Sequence, residues 1–167
     1  WADVVIEAFT PKAMKNWGLD YQSIKARKPE IVMLSSCLMG QTGPMNMYPG
    51  FGVLAAALGG FYEITGWPDR APTGPFLAYT DYTAPRFTVA ALMAAVDHRN
   101  RTGEGVYVDL SQHESALHLL GPALLDQAAN GRTATRTGNV SDRYSVHGVY
   151  RTAGEDKWIA IVCQDRE

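Results

Sequence analysis

Unbroken apolar runs alternate along this chain with stretches in which apolar residues return every three or four positions. Val4-Val5-Ile6 is a run of the first kind, and so is Ile31-Val32-Met33-Leu34; both suit strands buried on two faces of a parallel sheet. Between them Thr10-Pro11 supplies an N-cap and a proline for the first helical position, and Gly18 supplies a stop. Asp20 is the next cap, with Leu19 and Ile24 set around it as a hydrophobic staple, and the helix it opens ends at Pro29. Strand, helix, helix, strand is an α/β order.

From Ser35 to Gly50, the glycines and prolines at Gly40, Gly43-Pro44 and Pro49-Gly50 predict a loop. Phe51–Leu58, followed by Gly59-Gly60, reads as a buried helix, and Gly66 to Gly74 as irregular. Val89, Leu92, Met93 and Val96 fall at i, i+3, i+4 and i+7, which predicts a strong helix with Asp97 paired to Arg101 and Gly103 as its stop. Thr80 to Pro85 precedes that helix. Val106-Tyr107-Val108 is strand-like, and Ser111-Gln112-His113-Glu114 is a capping box for a helix that Pro122 kinks. Beyond Gly131 the chain turns polar, which predicts a boundary between 132 and 142. Gly148–Thr152 and Lys157–Cys163, joined by Ala153-Gly154-Glu155-Asp156, predict a β-hairpin that begins another unit.

Composition then removes several function classes. The 167 residues are 46% hydrophobic, and 15 basic side chains face 17 acidic ones for a net charge of −2. Such a chain can bury a core, is not disordered, and carries no general basic field for nucleic acid. No apolar run reaches the ~18–20 residues of a membrane span. Cys37 and Cys163 form neither a disulfide nor a metal pattern, which suits a reducing cytoplasm. The chain opens on Trp1, without an initiator Met, and runs straight into a strand; it closes on Asp165-Arg166-Glu167 just after another. A sequence cut at both ends is the expectation.

The candidate chemistry narrows to one carboxylate. His113-Glu114 followed by His118 imitates a zinc-protease pattern, but five helical residues turn through about 500°, so the two imidazoles face different ways and no metal site is expected. There is no G-x-S-x-G, P-loop or G-x-G-x-x-G motif. Cys37 ends a strand without a base beside it, which fits a semi-buried structural thiol better than a nucleophile. Asp81 stands at or near the N-terminus of the best helix. It is either an ordinary cap or first-turn acid, or a carboxylate nucleophile beside backbone N–H groups in a site made of small residues such as Ala55-Ala56-Ala57 and Gly59-Gly60.

Several motifs, taken in order, resemble one family. Ala2-Asp3-Val4-Val5-Ile6-Glu7-Ala8-Phe9-Thr10-Pro11 is similar to an "ADVVIENFRPG" segment, and Gly40-Gln41-Thr42-Gly43-Pro44 to a "GQTGP" loop. Pro49-Gly50-Phe51 through Gly59-Gly60 resembles the helix that follows, and Arg101-Thr102-Gly103-Glu104-Gly105-Val106-Tyr107-Val108-Asp109-Leu110-Ser111 resembles "RTGxGQxVDVS". Gly148-Val149-Tyr150 through Ile161 is similar to the start of a small domain. Together these resemble the family III CoA-transferases of the CaiB/BaiF type, which include the formyl-CoA and carnitine CoA-transferases.

The resemblance implies an α/β fold. Residues 1–135 would be part of a Rossmann-like large domain with linker helices, and 136–167 the truncated start of a small α+β domain. It implies an acyl-CoA:carboxylate CoA-transferase with coenzyme A as substrate carrier, a small carboxylic acid as partner, no metal, and an interlocked cytoplasmic homodimer. In such enzymes the aspartate before the helix leading to "RTGxG" forms an acyl anhydride and then an aspartyl thioester; that place is held by Asp81. CoA contacts carry over to Asn16 (where an arginine is usual) and Trp17, to Cys37 (where lysine or serine is found), and to Met39 and Gly40. Lys12 and Lys15 are the nearest phosphate-directed charges. The related 2-methylacyl-CoA racemases place a histidine where this chain has Phe51-Gly52, so transfer is favoured over racemisation. Relatives are more than twice this long, so the piece alone is expected to be inactive. An inactive structural module is the remaining alternative.

Overall fold

The structure, a computed structural model, describes residues 1–164. Asp165, Arg166 and Glu167, at the polar close of the chain, lie outside the described residues. Three strands form a parallel sheet in the order β1 (Val4–Glu7), β2 (Val32–Cys37), β3 (Tyr107–Ser111). The register sets Val4 against Val32 and Met33 against Tyr107. As the middle strand, β2 takes the most apolar run, and Ile31 to Leu34 are at most 1% exposed. Ser35, Ser36 and Cys37, predicted to begin a loop, continue the strand because Asp109, Leu110 and Ser111 pair with them. The buried Ser35 hydroxyl accepts a hydrogen bond from Tyr107 Oη at 3.0 Å, which removes the cost of placing it there.

Parallel neighbours need crossovers, and helices supply them. α1 (Pro11–Asn16) and α2 (Tyr21–Lys25) join β1 to β2, while α3 (Gly52–Leu58) and α4 (Tyr79–Thr102) join β2 to β3. Asp20 caps α2: one carboxylate oxygen accepts from the Gln22 and Ser23 amides at 3.1 and 3.3 Å, the other from the Ser23 hydroxyl at 2.7 Å. These donors favour the ionised carboxyl and lower its pKa, the Ser23 hydroxyl most of all.

α4 corrects the expected start of the long helix. Instead of beginning past Pro85, it begins at Tyr79 and keeps Pro85 inside. A proline there removes the amide that would have bonded the Asp81 carbonyl, at a cost of about 3 kcal/mol in an isolated helix. Tertiary packing overrides this, because Thr80, Thr83, Ala84 and Ala95 are buried and α4 packs against α3 and α5 (Gln112–Leu117). The stop is as expected: Gly103 adopts φ +76°, a left-handed cap that donates to the Arg99 carbonyl at 2.7 Å. Asp97 and Arg101 pair at 2.9 Å on the exposed face.

Half of the capping box forms, with the Glu114 amide donating to Ser111 Oγ at 3.2 Å. The helix expected to kink at Pro122 is divided instead. α5 passes into a 3₁₀ turn at His118–Leu120, and α6 (Gly121–Asn130) carries Pro122 in its first turn, where no amide is needed. Ala56, Phe61, Ala116 and Leu120 form a core cluster with Tyr79 and Leu117 against it. The hairpin is β4 (Val146–Arg151) antiparallel to β5 (Trp158–Cys163), a separate two-stranded sheet with largely exposed side chains. Among the described residues no helix is long and apolar enough to cross a membrane.

Candidate active site

Asp81 lies in the first turn of α4 with its side chain exposed. Its seat is made by an absent side chain. A Cβ on Gly52, the first residue of α3, would fall 2.7 Å from Asp81 Oδ1 and 2.8 Å from Cγ. The wholly buried Thr80 donates from Oγ1 to the Gly52 carbonyl at 3.2 Å and so ties the two helix starts together. First-turn placement sets the carboxyl beside the free amides of the α4 N-terminus.

The carboxylate opens on a cleft of about 170 Å³. Ala8 and Thr10, just past β1, form one wall; Ser36 and Cys37 at the end of β2 form another; Gln112 follows β3, and the Tyr48–Gly52 segment closes the rim. The cleft therefore sits at the carboxyl ends of all three parallel strands, the usual position for ligand sites in open α/β sheets. A larger apolar groove of about 590 Å³, lined by Phe76, Tyr79, Tyr82, Phe87 and Leu119 among others, has no carboxylate in its lining.

Cys37 faces this cleft but is 6% exposed. Burial, reinforced by the charges of Asp109 and Glu7, pushes its thiol up to about 11. It is therefore a neutral thiol near pH 7 and a weak nucleophile. In the unfolded chain the same group loses its proton near 9.0, so between about pH 9 and pH 11 the unfolded state binds fewer protons and stability falls as pH rises. Chemical denaturation across that range is expected to show this loss in the parent protein and a smaller one in Cys37→Ala; equal slopes would contradict the assignment. Iodoacetamide near pH 8 is expected to modify the exposed Cys163 and spare Cys37.

Of the other residues singled out for CoA, Lys12, Lys15, Asn16 and Trp17 all lie exposed on or just after α1. Thr10, in the cleft wall, immediately precedes that helix, and Trp17 meets Phe9 edge-to-face at 5.2 Å. Met39 and Gly40 are buried and line a recess of about 40 Å³ with Thr42, Asp109, Ser111 and Glu114, apart from Asp81. The two histidines face different neighbours, His113 Nδ1 against the Ala55 carbonyl at 3.1 Å and His118 stacked on Phe87. Thr80, Glu7 and Gln41 are structural parts of the site to which sequence reading gave no role, and Gly52 was noted only with Phe51 as the place where racemases carry a histidine; Glu7 and Gln41 fall inside quoted motifs.

Residues 1–167 match the family described as CoA-transferase family III. The chain is 33% identical over 159 residues to the succinyl-CoA–D-citramalate CoA-transferase of Chloroflexus aurantiacus, covering 95% of this chain and 39% of that protein. It is 32% identical over 165 residues to the acetyl-CoA:oxalate CoA-transferase of Acetobacter aceti, covering 97% and 41%. A CaiB/BaiF family protein from Brucella suis superposes with a TM-score of 0.87 at 30% identity, over 97% of this chain and 42% of that one. The chain thus spans about two fifths of the length of the curated relatives it matches. With the match unbroken from end to end and the parallel sheet and helices superposing on a solved relative, the chain belongs to CoA-transferase family III.

Proposed function

We propose that this chain carries the nucleophilic carboxylate of an acyl-CoA:carboxylate CoA-transferase, and that Asp81 is that nucleophile. The observation that carries the reading is the exposed Asp81 carboxylate resting on Gly52 at a cleft formed by the carboxyl ends of three parallel strands. Asp81 attacks the thioester carbonyl of the donor, forming an acyl–aspartyl anhydride and releasing CoA thiolate. The thiolate then attacks the aspartyl carbonyl, expels the donor acid and leaves an aspartyl–CoA thioester. The acceptor carboxylate displaces CoA to give a second anhydride, and the returning thiolate takes the acceptor's acyl group and frees Asp81. A neutral Cys37 does not compete for the acyl group.

In this reading Lys12 and Lys15 attract the CoA phosphates, with Asn16 and Trp17 beside them and Cys37 on the inner path, while Met39 and Gly40 lie in the separate recess against Asp109 and Ser111. The support for the α1 residues is Thr10, in the cleft wall immediately before that helix. The separate β4–β5 sheet supports a division in which 136–167 begins a small domain. Val89 and Met93, 60% and 62% exposed on α4, support assembly as a homodimer. Phe51 and Gly52 offer no second base opposite Asp81, which supports transfer over racemisation.

The test is to incubate the full-length protein that contains this chain with an acyl-CoA, quench with hydroxylamine or borohydride, and weigh the Asp81 peptide. An unmodified peptide throughout turnover rules Asp81 out. Gly52→Ala gives a sharper geometric check: its methyl group would occupy the space of the carboxylate and push Asp81 off its seat. Because a misplacement of about 1 Å can cost about 100-fold, transfer is expected to fall by at least that order, and the thermal midpoint is expected to fall with it, because the same methyl group would stand 2.9 Å from Oγ1 of the buried Thr80. Full activity in Gly52→Ala would show that the carboxylate does not act from this position.

A further inference from the structure

We infer that Gln41 is a positioning residue that locks two walls of the Asp81 cleft into one arrangement before acyl-CoA arrives; this rests on the reading of Asp81 as the transfer nucleophile. The side chain of Gln41 is absent from the cleft lining, yet its carboxamide reaches both walls from behind. Nε2 lies 3.2 Å from Glu7 Oε1, 3.1 Å from the Phe9 carbonyl and 3.5 Å from Cys37 Sγ. A carboxylate and a carbonyl both accept, so the amide must present its NH₂ group here, and its two protons match the two oxygen acceptors. Phe9 stands between Ala8 and Thr10, the residues of one wall, and Cys37 belongs to the other.

Glu7 completes the latch. It is 6% exposed at the end of β1, and its other oxygen accepts from the Phe9 amide at 2.7 Å. Both backbone polar groups of Phe9 are thereby held, the amide by Glu7 and the carbonyl by Gln41. Gln41 is itself fixed from two further directions: its amide donates to Asp109 Oδ1 on β3 at 2.8 Å, and its carbonyl accepts from Asn46 Nδ2 at 3.0 Å. One residue thus links β1, the end of β2, β3 and the loop leading to the Tyr48–Gly52 rim. A buried carboxylate costs free energy unless donors meet it, so removing the Gln41 amide both frees the Phe9 wall and leaves Glu7 short of a partner.

The test is Gln41→Met, which keeps the length and loses the donor. Two readouts are taken: the rate of iodoacetamide reaction at Cys37 near pH 9, with exposed Cys163 as internal control, and KM and kcat for acyl-CoA in the transfer assay. A latch that preorganises the walls predicts a rise of about tenfold in the Cys37 rate with Cys163 unchanged, and a KM raised about tenfold with kcat nearly constant, the signature of lost uniform binding. Glu7→Gln, which spares the bond to the Phe9 amide and removes one acceptor for Gln41, is expected to move both readouts the same way by a smaller factor. It carries the test if Gln41→Met does not fold. An unchanged Cys37 rate in the folded variants overturns the inference, whatever the transfer assay shows. A lowered kcat with unchanged KM also overturns it, since a merely structural residue reduces the amount of working protein and not its affinity. If the parent protein shows no modification of Asp81, the nucleophile reading is what fails, and the Cys37 rate still decides whether Gln41 holds the walls.

Discussion

Asp81→Asn is expected to abolish CoA transfer while leaving the protein folded. Asparagine keeps the shape of the side chain and loses the electron pair and charge that attack the thioester, so neither anhydride nor aspartyl thioester can form. Removing a covalent nucleophile typically costs at least about 10,000-fold, since only binding and electrostatic contributions remain. The fold is spared because the side chain is exposed and the backbone amide at this position, bonded to the Ala78 carbonyl at 2.9 Å, is unaffected. What is lost structurally is the dipole interaction of a first-turn acid, about 0.3–1 kcal/mol. Turnover with an acyl-CoA donor and a carboxylate acceptor, read beside a thermal melt, checks both halves, and Asp81→Ala guards against slow reversion of the amide. Asp81→Glu isolates geometry from chemistry: the nucleophile is retained but carried one methylene further from the Gly52 seat, and about 100-fold loss is expected. Activity within tenfold of the parent in Asp81→Ala would remove Asp81 from the mechanism.

The parallel sheet was legible because its strands announce themselves in unbroken apolar runs, and Val32 to Leu34 are among the most deeply buried residues. The caps were equally plain: Asp20, Ser111 and Gly103 are short-range devices whose partners lie within a few residues. Pro85 and Pro122 show where local reading fails. Both are helix breakers on the same local rule, yet one is carried inside α4 and the other opens α6. The difference is set by burial of Thr80, Thr83 and Ala84 against neighbouring elements, information that no window around the proline contains.

The site follows the same division. Asp81 was legible as a carboxylate near a helix start, but its contact with Gly52 spans a long separation in the chain and depends on how α3 and α4 meet. Gln41 was visible only as a letter in a motif; its role emerges from two oxygen acceptors on β1 and just past it, with Cys37 Sγ of β2 in contact at 3.5 Å. The residues proposed for CoA divide for a similar reason. Cys37 joins Asp81 because β2 ends in the cleft, whereas Met39 and Gly40, only a few positions on, have already turned beneath Ser111 and Asp109.

Gly105→Ala is expected to be the most damaging of the small substitutions to stability, although Gly105 is remote from chemistry. In the segment Arg101-Thr102-Gly103-Glu104-Gly105 the two glycines serve different ends. Gly103 takes the left-handed conformation that ends α4. Gly105 lets β3 enter the sheet against the turn that leads into β2: a Cβ there would stand 2.4 Å from the Ile31 carbonyl oxygen, 2.6 Å from that of Pro29 and 2.9 Å from the carbonyl carbon of Glu30. All three are backbone atoms, so no side chain can rotate away. The turn is anchored as well, with the Ile31 amide bonded to the Lys28 carbonyl at 3.1 Å and the Met33 amide to that of Val106 at 2.9 Å. A methyl group must therefore part β3 from β2 at its first residues or shift the turn. Overpacking against side chains costs about 1–3 kcal/mol, and a backbone obstacle belongs at or above the upper end of that range. The loss reaches function because β2 and β3 both end in the cleft, where Cys37 and Gln112 stand. Urea denaturation should show a midpoint lowered by a loss of about 3 kcal/mol, a large share of the 5–15 kcal/mol that stabilises ordinary domains. Gly103→Ala, strained at its positive φ but open in space, should cost only about 1 kcal/mol. If the two variants melt together, close backbone approach is not what this glycine supplies.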